Sequence, residues 1–247
     1  MAELQHPLSR SFEQVAGLYE RARPEYPSEA VDWLTERLDL RAGRTVLDLG
    51  AGTGKLTRAL VPTGARVIAV EPGERMLAEL RRTLPDVDAL IGAAEAIPLP
   101  DASVDAITMG QAFHWFRHDE AIPELHRVLR PDGGVALIWN TRDHDRPLQR
   151  EIREVMAPLV PVRREAHDTS RLEASGLFGD VEERRFPWHQ RLDADDVVAR
   201  IRSVSFVAAA SREQQDDVER QLREIVARFG GHVDFHYLTR AYVSFAV

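Results

Sequence analysis

The chain has 247 residues, 44% of them apolar, enough to build the core of one α/β domain. Its formal charge of -8 argues against a protein that holds nucleic acid by its phosphates, and no apolar run approaches the roughly 20 residues that span a bilayer. It contains no cysteine, which excludes disulfides, thiolate nucleophiles and cysteine-held metal centres.

Residues 1–10 lack the apolar stretch of a signal peptide, so the cytoplasm is the expected location. Residues 12–20 predict a short helix, ended by Pro24 and Pro27, because each proline pushes its predecessor out of helical geometry. Ser28 is expected to cap a second helix to Leu38, with Val31, Leu34 and Leu38 on one face. Residues 45–49 form the first apolar strand, and the glycines of 50–54 turn into a helix carrying Leu56, Ala59 and Leu60. Strands follow at 66–70, 88–91 and 104–109, with helices at Met76, Leu77 and Leu80 and over 120–129. Residues 131–134 predict a turn, and 135–139 a fifth strand. Beyond this point the pattern predicts a helix over 148–159, a strand at 181–188, helices over 193–203 and 212–229, and a closing strand at 238–247. Alternating strands and helices predict a doubly wound, mostly parallel α/β sheet. The expected organisation is one domain over 1–247, with N-terminal helices to 40, a cofactor-binding core over 41–145, and a C-terminal part whose helical insertion at about 192–231 forms a lid.

The segment Asp48-Leu49-Gly50-Ala51-Gly52-Thr53-Gly54 lies between a buried strand and a helix. Glycines there allow a tight turn and close approach to a ligand, and the following helix offers free N–H groups. Glu71 ends the next strand, 21 residues after Gly50, where a carboxylate can accept both hydroxyls of a ribose. A phosphate-binding loop needs Gly-Lys-Ser/Thr, but Leu56 follows Gly54-Lys55. A dinucleotide fingerprint needs a glycine where Lys55 stands. The alternating glycines behind Asp48 suit S-adenosylmethionine, whose methionine end carries an ammonium where a dinucleotide carries a pyrophosphate.

Around this motif the chain resembles the class I methyltransferases of the type 11 group. The resemblance covers roughly residues 10–142 and rests also on Phe12, Ala16, Tyr19, Arg23-Pro24 and Tyr26-Pro27, and on Gly92-Ala93-Ala94-Glu95 before Ile97-Pro98-Leu99-Pro100. Gln111-Ala112-Phe113-His114-Trp115-Phe116 and Trp139-Asn140-Thr141-Arg142-Asp143 are similar to a narrower branch that includes trans-aconitate methyltransferase-like enzymes. The resemblance implies a seven-stranded Rossmann-like sheet and S-adenosylmethionine as cofactor, with S-adenosylhomocysteine as product. It implies that Gly50, Gly52 and Gly54 line the methionine end and that Glu71 takes the ribose. Pro72 and Met76 would flank the adenine face, and Ala94 and Glu95 would meet its edge. Gln111 and His114 would lie near the sulfonium, with Tyr19 and Arg23 closing over the cofactor.

His114 is the candidate catalytic residue, as a general base or as a hydrogen-bond donor that orients substrate. Trp115, with Phe116, is a candidate aromatic wall, and Asn140 and Arg142, with Arg163 and Arg164, are candidate substrate contacts. His114 and His118 have i, i+4 spacing, but no carboxylate stands at a ligand spacing, so no metal is expected. The expected reaction is methylation of a small molecule at a carboxylate or hydroxyl by a monomer or homodimer, without nucleic-acid or membrane partners. The competing readings are a non-catalytic S-adenosylmethionine-binding module and a nicotinamide-dependent oxidoreductase.

Overall fold

The computed structural model describes residues 23–160 and 168–247. The expected helix over 12–20, with Tyr19, and the pair Arg163 and Arg164 lie outside these residues.

Among the described residues seven strands form one sheet in the order β3-β2-β1-β4-β5-β7-β6. They are β1 (Thr45–Leu49), β2 (Arg66–Glu71), β3 (Asp88–Ile91), β4 (Val104–Gly110), β5 (Leu129–Arg142), β6 (Glu182–Asp193) and β7 (His232–Phe245). The first five pair in parallel, and β7 runs antiparallel to both its neighbours. Both faces of the central strands are covered, which is why they read as continuous apolar runs. Leu47, Ile68, Ile107, Leu137 and Trp139 enter one core, under Ala121, Ile122 and Leu125 of α4 (His118–Val128). Val46, Val67, Ala106, Ala136 and Ile138 enter the other, under α1 (Ser28–Arg37) and α2 (Lys55–Leu60). Between these helices α3 (Glu74–Thr83) connects β2 to β3.

Three sequence expectations need correction. The cap of α1 is Pro27, not Ser28; the Ser28 hydroxyl is spent on the neighbouring Glu29 carboxylate at 3.2 Å. The turn expected at 131–134 lies inside β5: Val104 pairs with Leu129 but Ala106 with Gly134, so the extra residues bulge from the ladder. The last two strands run longer than expected. β6 continues through Pro187 to Asp193, as it can on a sheet edge, where a missing N–H costs no ladder bond.

After α5 (Pro147–Met156) and the short α6 (Ser170–Ala174), the insertion between β6 and β7 is helical, as expected. It comprises α7 (Ala194–Arg202), α8 (Ser205–Ala208) and α9 (Arg212–Arg228). Its apolar stripe of Val197, Ile201, Val218, Leu222 and Ile225 packs with Ile152 and Met156 of α5 and Phe235 of β7 in a third core. No helix among the described residues is long and apolar enough to cross a membrane.

Candidate active site

The strand order reverses between β1 and β4, and in an open α/β sheet the crevice beyond the strand ends at such a point is where ligands bind. A cavity lies there. Its walls are Asp48 and Gly50 to Thr53 after β1, Lys55 and Leu56 of α2, Gly110 and Gln111 at the end of β4, Asn140 of β5, and Arg23, Pro24 and Tyr26 from the N-terminal segment.

The loop is fixed by its backbone. The N–H groups of Gly50 and Ala51 both donate to Val70 O, at 2.8 and 3.1 Å, which forces φ of +69° at Gly50. A side chain there would also meet the Ala112 Cβ at 2.7 Å, so only glycine fits. Gly52 also has positive φ, +59°, but nothing lies within 4 Å of where its Cβ would be. Its N–H donates to Glu71 Oε2 at 2.9 Å, and the Gly73 N–H donates to the other oxygen at 2.8 Å. Glu71 is thereby held against the loop before any ligand arrives.

Asp48 is fully buried beneath the cavity. Loss of water raises its carboxyl from 3.8 to about 6, while the hydroxyls of Thr57, at 2.6 Å, and Thr108, at 3.4 Å, offset part of that cost. A buried carboxylate is suited to a cationic ligand group and is hostile to a pyrophosphate. Open space at Gly52, the acid of Asp48 and the preset Glu71 together fit S-adenosylmethionine.

Opposite the loop, Gln111 adopts φ of +57°, uncommon for a non-glycine residue. Its N–H donates to Ile138 O at 2.9 Å and its side-chain amide to Asn140 O at 3.0 Å. The Asn140 amide donates to Glu25 O at 3.0 Å, and its oxygen accepts from the Thr239 hydroxyl at 2.6 Å. Thr239 in turn accepts the Trp188 indole N–H at 2.7 Å. Sequence reading missed Thr239, Trp188 and the cavity residue Thr53.

Of the expected site residues the cavity gathers Asp48, Gly50, Gly52, Gln111, Arg23 and Asn140, and it reaches Glu71 through Gly52. Gly54 caps α2 and Met76 of α3 is buried, and neither lines the cavity. Pro72 follows Glu71 at the end of β2 and is half-buried. Ala94 is buried in the core, and Glu95 accepts the Arg117 N–H at 2.8 Å. His114 and Trp115 belong to a short 3-10 turn, Phe113–Trp115, outside the cavity walls. His114 Nδ1 faces the indole N–H of Trp139 at 3.3 Å, an arrangement that leaves Nδ1 as acceptor and the ring proton on Nε2. His118 starts α4 and stacks on Phe113, with ring centroids 4.4 Å apart, so the two histidines share no helix face. Arg142 lies two residues beyond Asn140 on β5.

Residues 47–137 match the family model described as a methyltransferase domain. A methyltransferase of Mycobacterium tuberculosis is 39% identical over 241 residues, covering 97% of this chain and 95% of that one. A trans-aconitate 2-methyltransferase of an Azoarcus species is 35% identical over 151 residues, covering 60% of this chain and 59% of that one. The solved structure of a proposed type II methyltransferase from Anaeromyxobacter dehalogenans superimposes with a TM-score of 0.68 at 26% identity, covering 91% of this chain and 97% of that one. By fold, loop and relatives, the chain belongs to the class I methyltransferases and is an enzyme that uses S-adenosylmethionine.

Proposed function

We propose that the enzyme methylates a small molecule at oxygen, on a carboxylate or a hydroxyl group. The observation that carries this reading is the short polar wall of Gln111 and Asn140, the latter held by the Thr239 hydroxyl, facing the glycine loop across one cavity. Such a wall suits a compact polar acceptor better than a polymer. The trans-aconitate relative, named for methylating a small acid, supports the same class.

When bound, the cofactor supplies a methyl group on a positively charged sulfur, a leaving group that needs no further activation. The protein's task is alignment and exclusion of water, which can contribute about 7–11 kcal/mol. Glu71 and the glycine loop hold one partner. Gln111 and Asn140, pinned to each other and to Glu25 and Thr239, form a rigid rest for the other. A carboxylate acceptor is ionised at neutral pH and needs no base. His114, outside the cavity walls with its Nδ1 facing the Trp139 indole, takes no part in this reading. The insertion α7–α9 serves as a lid, tied to the cavity wall where Arg23 donates to Ser203 O at 3.0 Å.

The test is transfer of labelled methyl from S-adenosylmethionine to a panel of small carboxylic acids, phenols and alcohols. A base-labile product identifies an ester and a stable one an ether. Label entering only RNA or protein sinks the reading.

A further inference from the structure

Most described arginines that contact no carboxylate are exposed to solvent, but Arg142 and Arg200 are not. Arg44, Arg66, Arg127, Arg130, Arg202 and Arg223, among others, each contact a carboxylate within 4.0 Å. Arg142 and Arg200 form no ion pair with any described carboxylate, in a chain with 40 acidic residues. Both lie on the same side of the fold. Arg142 of β5 stands opposite Tyr237 of β7, which stands opposite Trp188 of β6. The Trp188 and Tyr237 rings stack with centroids 4.8 Å apart. Arg200 reaches in from α7: its guanidinium lies 5.6 Å from the Tyr237 ring centroid, and its Nη1 donates to the Tyr237 hydroxyl and, at 2.9 Å, to Gln190 Oε1.

Neither cation is neutralised where it stands. Arg200 is only 9% exposed, and its buried Nε has no acceptor among the described residues. Arg142 donates to the Met156 thioether at 2.9 Å, a weak acceptor. Burial lowers the Arg142 guanidinium to about 10; the nearby Arg23 and Arg153 add to the effect and Tyr237 opposes it. Holding two desolvated guanidinium groups without a counter-charge is costly, and an arriving anion recovers that cost.

We infer that Arg142, Arg200 and the Tyr237 hydroxyl bind an acidic group of the methyl acceptor, a carboxylate or a phosphate, remote from the atom that is methylated. The inference rests on the small-molecule reading above. Arg142 and Asn140 share one face of β5 two residues apart, so the anion is held roughly 7 Å along the strand from the cavity wall. That separation fits a short-chain acid with a second polar group at its other end. The guanidinium fork suits either oxyanion.

The test is calorimetric titration of the full chain, saturated with S-adenosylhomocysteine, with succinate, citrate, inorganic phosphate and uncharged succinamide. The acids are expected to bind and succinamide not. In Arg142→Gln the acid affinity falls by about ten- to hundredfold while S-adenosylhomocysteine affinity stays within about twofold. Arg142→Lys restores part of it, because it keeps the charge and loses the fork. The melting temperature of ligand-free Arg142→Gln does not fall, since an uncompensated buried charge has been removed; a merely structural arginine would lower it. Tighter succinate or citrate than phosphate assigns a carboxylic acceptor, and the reverse a phosphorylated one. Acid binding that is equal in Arg142→Gln, or no better than that of succinamide, overturns the inference. If only uncharged small molecules are methylated and no acid binds, the arginine site falls and the small-molecule reading survives. If acids bind through Arg142 but no small molecule is methylated, the site stands and that reading falls.

Discussion

The carboxylate of Glu71 and the backbone N–H of Gly52 are joined at 2.9 Å, which locks the end of β2 to the turn after β1. The other oxygen takes the Gly73 N–H at 2.8 Å, so both oxygens are held by backbone donors where ribose hydroxyls are expected. Glu71→Gln keeps the shape but turns an amide toward one of these backbone donors. We expect S-adenosylmethionine affinity to fall by about ten- to hundredfold per lost charged hydrogen bond, and stability by about 1–3 kcal/mol because a buried N–H loses its acceptor. Calorimetry and urea unfolding separate the two effects. Unchanged binding would remove Glu71 from the cofactor site.

Asp48 makes cofactor binding depend on pH in a direction that can be worked out. In the unfolded chain it ionises near 3.8, and in the fold near 6, chiefly because burial strips its water. Below about pH 4 both states are protonated and burial of the group costs nothing. As pH rises through 6 the folded protein bears the full cost, about 3 kcal/mol. A cationic ligand recovers part of that cost only when Asp48 is ionised. The dissociation constant for S-adenosylmethionine should therefore decrease as pH rises from 5 to 7. Asp48→Asn should flatten the profile and stabilise the ligand-free protein at pH 8. A profile that stays equally steep in the variant would assign the effect to another group.

Gln111 holds a left-handed backbone, φ +57°, at the wall where the acceptor is expected, an arrangement that costs about 1–3 kcal/mol. Gln111→Gly should relieve that strain, while losing the amide bond to Asn140 O. The two changes nearly cancel, so the melting temperature should shift little. Turnover should drop at least about tenfold, since the acceptor's rest is no longer rigid. Wild-type turnover in the variant would mean that the strain serves the fold alone.

The glycine loop was legible in the sequence because every residue that shapes it is local. Asp48, the three glycines and the strand–turn–helix frame lie within seven positions, and Glu71 is one βα unit away. On the acceptor side Gln111 and Asn140 stood out in the sequence, but the residues that hold them did not, for the opposite reason. Asn140 meets Thr239 across 99 residues, and Thr239 meets Trp188 across 51, through a β5-β7-β6 order that no local pattern announces. The beginning of β7 was hidden by its alternation: Val233, Phe235 and Tyr237 are buried under the insertion while Asp234 and His236 face outward or stay half-exposed. No local pattern marked Arg200, and only the position of Tyr237 shows that it points inward.

The cavity's N-terminal wall is fastened by Lys55, the chain's only lysine, whose ammonium meets Glu25 at 2.7 Å while Arg58 stands 3.6 Å away. Glu25 is 55% exposed, so the pair contributes at most about 1 kcal/mol to global stability. Its local effect is larger, because the same residue's carbonyl receives Asn140, and its neighbours Arg23, Pro24 and Tyr26 line the cavity. Lys55→Gln should leave the melting temperature within about 2 °C of wild type and raise the cofactor's dissociation rate several-fold, as stopped-flow displacement would measure. Salt should raise the rate in wild type more than in the variant, because screening acts on the exposed ion pair. Equal salt dependence in the two proteins would show that the segment is held closed by Asn140 and Arg23 and that the lysine serves only the surface.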